Sequence, residues 1–232
     1  MSESIYQGYV IKRQPYKVFD EIITFITSKG ERISCISMGS KKIESKNSRN
    51  LFIGSYGEFQ IFKSTSADRL SKLKKAITIK TIDWNYETLP TFNLLSDCMN
   101  KIEKFNHDAF VFYGEMLKII VDNKYTEKTQ MLIILRNLCP LLGIDLNVNE
   151  CVRCGSHKLS TISFKDHGMI CNLCFNSTTD TKHDLIISKI FHHLFNNDYS
   201  FADQHFGELE YTINMLMLYI KENSGIVLDT RV

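Results

Sequence analysis

The sequence predicts an α+β protein: a small closed barrel first, helices after it, and a four-cysteine zinc knuckle inserted among the helices. Three observations predict it. The first 80 residues read as short β-rich strands, the last two alternating apolar with polar residues; apolar residues recur at helical spacing from about residue 89; and two C-x2-C pairs break that pattern at 148–176. With 232 residues, 44% of them hydrophobic, the chain is long enough to bury a core without disulfide staples.

The strands come in order. Ile5–Ile11 is β-rich and contains Gly8, which in a strand marks a bulge or a close backbone approach. Val18–Thr27 is β-branched and aromatic, Lys29-Gly30 makes a turn, and Ile33–Met38 follows. After a polar loop, Glu58–Lys63 and Lys75–Lys80 alternate Ile or Phe with polar residues, as half-buried strands do. Five short strands in this span predict an OB-fold, which closes its edges with five.

From Leu89 the period changes. Phe92–Phe105 places apolar residues at 94, 95, 98, 99 and 102, and His107–Lys124 is apolar on most sides, as a central helix would be. Thr126 caps a third helix through Met131, Leu132, Leu135 and Leu138; Pro140 kinks its last turn and Gly143 ends it. Helices resume over His183–Phe195 and Phe201–Lys221. The expected layout is residues 1–82 as a nucleic-acid-binding barrel, 83–147 with 177–232 as a helical domain, and 148–176 as a zinc-finger insert.

Cys151, Cys154, Cys171 and Cys174 form C-x2-C-x16-C-x2-C. Each pair sits on a tight knuckle, so two thiolates point at one ion, and a hairpin brings the second pair to complete a tetrahedron. Gly155, His167 and Gly168 supply the turns. Four sulfurs satisfy one Zn2+ and leave no position for water, so the site reads as structural. A redox role would need a βαβ context that neither pair has. Cys35, Cys98 and Cys139 lie on apolar faces and read as core.

Charge is uneven. Residues 1–80 carry 15 Lys and Arg against 7 Asp and Glu; the remainder carries 13 against 19. A polyanion meeting one end of the molecule explains this asymmetry, and a basic domain neutralising an acidic neighbour is the blander reading. The cations concentrate in the loop Gly39–Asn50, with Lys41, Lys42, Lys46 and Arg49 against Glu44; Lys12 and Arg13 extend the surface. Such residues, with the loop's hydroxyls and amides, contact phosphates without reading sequence. Tyr6, Tyr9, Tyr16 and Phe19 offer faces for base stacking, with core packing as the competing use of each.

Gly8-Tyr9-Val10-Ile11, then Thr27-Ser28-Lys29-Gly30, then Gly39, Lys41, Lys42, Ser45, Lys46 and Leu51 in register, and finally Leu141-Leu142-Gly143 leading to the cysteine pairs, together resemble the RecO family over about residues 5–175. The resemblance implies an OB-fold, a helical domain and an inserted zinc finger. It also implies binding to single- and double-stranded DNA, annealing of complementary strands, and work with RecR and the single-strand-binding protein SSB to help load RecA. It carries a DNA-contact expectation onto Lys41, Lys42 and Lys46, and a metal expectation onto the four cysteines. Two departures stand out. Val18 occupies a position where the family commonly has an acid, and lysine replaces many of its arginines, which keeps the charge but loses the bidentate fork.

The chain lacks GxxxxGK[ST], H-E-x-x-H and the H-x-E…P-C-x-x-C pattern of zinc deaminases, so no enzyme is expected. It also shows neither a signal peptide nor an apolar run of membrane-spanning length, so secretion and membrane insertion are not expected, and the resemblance implies a cytoplasmic, nucleoid-associated bacterial protein. The alternative is a zinc-ribbon module for protein interaction or transcription. Within 148–176, however, Arg153, Lys158 and Lys165 face Glu150 and Asp166, a poor polyanion surface, so the barrel is the better DNA-binding element.

Overall fold

The structure, a computed structural model, describes residues 3–64, 69–82 and 85–229. It divides into two compact units: residues 1–86 with 95–121, and residues 87–94 with 122–232.

The first unit is built on a closed barrel in the strand order β1-β2-β3-β5-β4. The strands are β1 (Glu3–Tyr16), β2 (Asp20–Thr27), β3 (Arg32–Ser37), β4 (Tyr56–Phe62) and β5 (Ser71–Lys80). β1 is longer than its pattern predicts because a register shift between Val10 and Lys12 lets one strand pair with β4 in its first half and with β2 through Tyr16. Gly8 marks a close approach, as expected: a Cβ there would meet the Ile26 carbonyl oxygen at 2.1 Å. Alternation fills the barrel, where Phe25 stacks on Phe59 at 4.6 Å among Val10, Ile23, Leu51 and Ile61.

The helices α1 (Leu89–Lys101) and α2 (His107–Asp122) follow. Asn106, which the sequence reading passed over, caps α2 by accepting the Ala109 N–H at 3.0 Å. Its backbone lies so near Gly30 (φ 79°) that a Cβ on Gly30 would clash at 2.0 Å. α2 buries Tyr113, whose hydroxyl donates to the Val10 carbonyl at 3.4 Å, and Tyr9 packs against Phe110 and Tyr113. Tyr9 is therefore packing, not a stacking platform.

The second unit holds α3 (Glu127–Leu142), the hairpin β6 (Leu159–Ser163) and β7 (Gly168–Cys171), then α4 (Leu185–Phe195), α5 (Tyr199–Asp203) and α6 (Phe206–Ser224). α3 contains Pro140 and ends on Gly143 in the left-handed region (φ 71°), as predicted. Asp184 caps α4 by accepting the Ile186 N–H at 2.8 Å. The last predicted helix is broken into α5 and α6. His205 Nδ1 lies 2.7 Å from the Phe201 carbonyl that would continue the ladder, and Asp203 turns aside to accept the Thr126 N–H at 2.9 Å and its hydroxyl at 2.8 Å. Thr126 thus sits at the N-cap of α3 without capping it through its side chain.

Candidate nucleic-acid interface and metal centre

On the barrel, β3 and β5 run parallel and pair only at Cys35–Ser71 and Ile36–Lys72. Beyond that point the outer edge of β5 lacks a strand partner and would expose its N–H and C=O groups. The loop between β3 and β4 closes it with side chains. Ala76 N–H donates to Asn47 Oδ1 at 3.1 Å, Asn47 Nδ2 reaches the Lys74 carbonyl at 3.4 Å, and Thr78 donates from both its N–H and hydroxyl to Asn50 Oδ1. Asn50 Nδ2 also donates to the Lys46 carbonyl at 3.0 Å. The two asparagines read in the sequence as phosphate-contacting amides are instead the staples that fix the loop. The opposite end of the loop is tied down by Gly39 N–H to Asp20 Oδ1 at 2.8 Å and Lys41 N–H to the Phe19 carbonyl at 3.0 Å.

Between loop and strand lies a cleft of about 820 Å³, lined on the loop side by Lys42, Glu44 and Lys46 and on the strand side by Lys74, Lys75 and Ile77. Lys41, Lys42, Lys46 and Arg49 sit on the solvent-facing side of the loop. Lys42 holds its ammonium 5.4 Å from the centre of the half-exposed Phe19 ring, beside the loop. Tyr6 packs against the barrel core and lies under Lys63. Of the two strand cations, Lys12 is partly exposed, whereas Arg13 donates to Glu21 at 2.7 Å. Burial raises the Glu21 carboxyl, but Arg13 and Ser40 outweigh it and hold the group below the ordinary glutamate range. Arg13 is therefore committed within the barrel wall.

The knuckle forms the second site. Cys151, Cys154, Cys171 and Cys174 bring their sulfurs within 4.8 Å of one another. Both pairs fold alike: the N–H groups of Cys154 and Gly155 turn back to the Cys151 carbonyl, and those of Cys174 and Phe175 to the Cys171 carbonyl. Gly155 is left-handed (φ 73°), and Gly168 is required because a Cβ there would meet the Asn147 carbonyl oxygen at 2.3 Å.

The donor set fits a divalent metal ion. Metal–sulfur bonds of about 2.3 Å in a tetrahedron put sulfurs about 3.8 Å apart, and Cys154 and Cys171 stand at 3.7 Å. Burial raises the Cys151 thiol, but N–H groups of Cys171, Arg153 and Cys154 outweigh it and bring it down to about 6. The sulfurs of Cys154 and Cys171 push Cys174 up to about 12. Four thiolates this close need a cation among them.

Arg153, between the first two ligands, locks the frame. It donates to the Cys174 carbonyl at 2.6 Å, to both oxygens of Asp180 at 2.7 Å, and to Asp166. The arginine holds Asp180 well below the usual carboxylate range. Sequence reading gave Arg153 only a net-charge role; an arginine between two ligand cysteines was the available signal.

Two family models match the chain. Recombination protein O N terminal covers residues 1–82, and Recombination protein O C terminal covers residues 94–197. The chain belongs to the recombination protein O (RecO) family. The DNA repair protein RecO of Mesoplasma florum is 27% identical over 211 residues, 86% of this chain and 77% of the relative. That of Clostridium perfringens is 28% identical over 189 residues, 78% and 74% of the two chains. The RecO N-terminal match ends where the barrel does, and the C-terminal match takes in the whole cysteine knuckle. Among the described residues, no helix is long and apolar enough to cross a membrane.

Proposed function

We propose that this RecO-family chain is a non-catalytic recombination mediator that binds single- and double-stranded DNA, anneals complementary strands and, with RecR, helps load RecA onto SSB-coated DNA in the bacterial cytoplasm. The observation that carries the reading is the loop-and-strand cleft. It concentrates exposed lysines on the basic barrel, while asparagine staples keep the loop from collapsing. Lys41, Lys42, Lys46 and Arg49, with Lys12 beside them and Arg13 in a supporting role, hold the sugar-phosphate backbone. Phe19 is placed to stack a base.

Neutralised phosphates repel a second strand less, and bases left outside the cleft remain free to pair, so annealing needs no bond chemistry. Cys151, Cys154, Cys171 and Cys174 hold one zinc ion, which supplies a structural cross-link within the 148–176 insert. The barrel, the helical part and this insert form three functional parts, at 1–82, at 83–147 with 177–232, and at 148–176.

The test is binding of the zinc-loaded protein to labelled oligo(dT) across a salt series, with annealing of complementary strands followed alongside. Charge reversal of Lys41, Lys42 and Lys46 to Glu should weaken binding and flatten the log–log salt slope by about 2, at about 0.7 per lost phosphate contact. Wild-type protein that fails to bind at low salt would sink the reading and leave the knuckle as a protein-interaction module.

A further inference from the structure

The loop forms only one wall of the cleft, and the opposite wall belongs to β5. Lys74 and Lys75 line it across from Lys42 and Lys46, with Ala76 and Ile77 beside them on the strand. Nothing in the strand's own packing needs these charges, because β5 buries Leu73 and Ala76 inward and leaves Lys72, Lys74, Lys75 and Lys80 exposed. Two lysines in succession would ordinarily face opposite sides of a strand, but a register shift between Gln60 and Ile61 of the paired strand falls at this point. Both side chains therefore reach the cleft.

The lysines of the cleft differ in one respect. Lys46 and Lys75 make no ion pair among the described residues, whereas Lys74 grips both carboxylate oxygens of Glu3, at 2.9 and 3.0 Å, beside the Phe62 ring. An exposed pair of this kind contributes little stability, so an incoming phosphate oxygen can replace Glu3 at the Lys74 ammonium.

We infer that the cleft is a two-walled groove for a single sugar-phosphate backbone, with Lys74 and Lys75 as phosphate ligands opposite the loop lysines and Glu3 as a built-in competitor for Lys74. The inference rests on the DNA-binding reading above and names ligands that reading does not. A groove with cations on both sides grips one backbone from two directions. A duplex presents its paired backbones on an outer surface and meets only the rim. Removal of the β5 lysines therefore weakens single-strand binding more than duplex binding.

The experiment uses the full chain, loaded with zinc, and labelled oligo(dT) against a duplex of equal length over a salt series. Lys74→Gln with Lys75→Gln should lower the single-strand slope by about 1.4, two contacts at about 0.7 each, with a smaller change for duplex. Glu3→Gln, which frees Lys74, should tighten single-strand binding at low salt. Lys74→Arg with Lys75→Arg should restore the slope, separating lost charge from damaged folding, and Lys182→Gln with Lys189→Gln on the helical unit should leave it unchanged. If oligo(dT) binds and the loop reversals weaken it, but the β5 double variant keeps the wild-type slope, the second wall is overturned and the DNA reading stands. An equal loss from the Lys182 and Lys189 pair would overturn it too, since net charge alone would then explain the effect. A wild-type protein that binds neither DNA fails the broader reading instead.

Discussion

The barrel and the cysteine knuckle each hold a polar loop against the edge of a sheet, yet they start from unequal cores. Among the described residues, nine buried ones, Phe25 and Phe59 among them, fill the barrel. The knuckle buries Cys151, Ile170 and Cys171, with Val152, Leu159, Cys174 and Phe175 partly buried against them. Burying a large apolar side chain contributes about 1.5–3 kcal/mol, so the barrel gathers enough to offset the entropy of ordering its strands, and the knuckle does not. What the knuckle lacks in apolar surface it replaces with four sulfurs and the Arg153 clamp. Hence two loops of similar polarity should respond oppositely to loss of metal.

The largest expected effect follows. Removing the proposed zinc ion with a chelator, or replacing Cys171 by Ser, should cost the knuckle on the order of 10 kcal/mol of local stability, the scale of small metal-dependent folds. Segment-resolved hydrogen exchange would show protection lost across 147–176 and kept in β1–β5. Loss of protection in the barrel strands would break the comparison.

The converse substitution is smaller and falls on the other region. Phe59 is fully buried and stacked on Phe25, so Phe59→Ala should destabilise the barrel by about 3–5 kcal/mol. Exchange should rise in β1–β5, and 147–176 should stay protected while metal is bound. If chelation and Phe59→Ala produced the same exchange pattern, the barrel and knuckle would not differ in the way their cores imply.

The parts legible in the sequence are those where a local rule fixes the outcome. β-rich composition marked the first three strands and alternation the last two, and the C-x2-C spacing marked the sulfur cluster because two residues are what a knuckle turn contains. Strand ends were less legible. β1 runs on to Tyr16 through a bulge that no residue type announces, and β5 begins at Ser71 although Lys72, Lys74 and Lys75 dilute its pattern. The α5–α6 break depends on His205 and Asp203 finding partners that periodicity does not reveal. The cleft was half visible. Loop lysines could be picked out by charge, but the opposing wall exists only because β3 leaves β5 after two paired residues.

The smallest effect tests the staple that does for the barrel loop what the proposed metal would do for the knuckle. Asn47→Ala removes the acceptor of the Ala76 N–H and the donor to the Lys74 carbonyl. At about 1 kcal/mol per hydrogen bond, with an extra penalty for a partly buried N–H left unpaired, the cost is about 1–2 kcal/mol, too little to unfold the barrel. The loop, however, should loosen: amide exchange at residues 41–50 and at Ala76 should quicken, and single-strand affinity should fall because Lys42 and Lys46 are no longer held across from β5. Asn47→Asp, which keeps the acceptor for Ala76, should retain more of the protection at Ala76 than Asn47→Ala does. Unchanged exchange in the alanine variant would mean that Asn50, through its bonds to Thr78, suffices to hold the loop. The barrel's polar closure would then be redundant where that of the knuckle, built on four clustered sulfurs, is not.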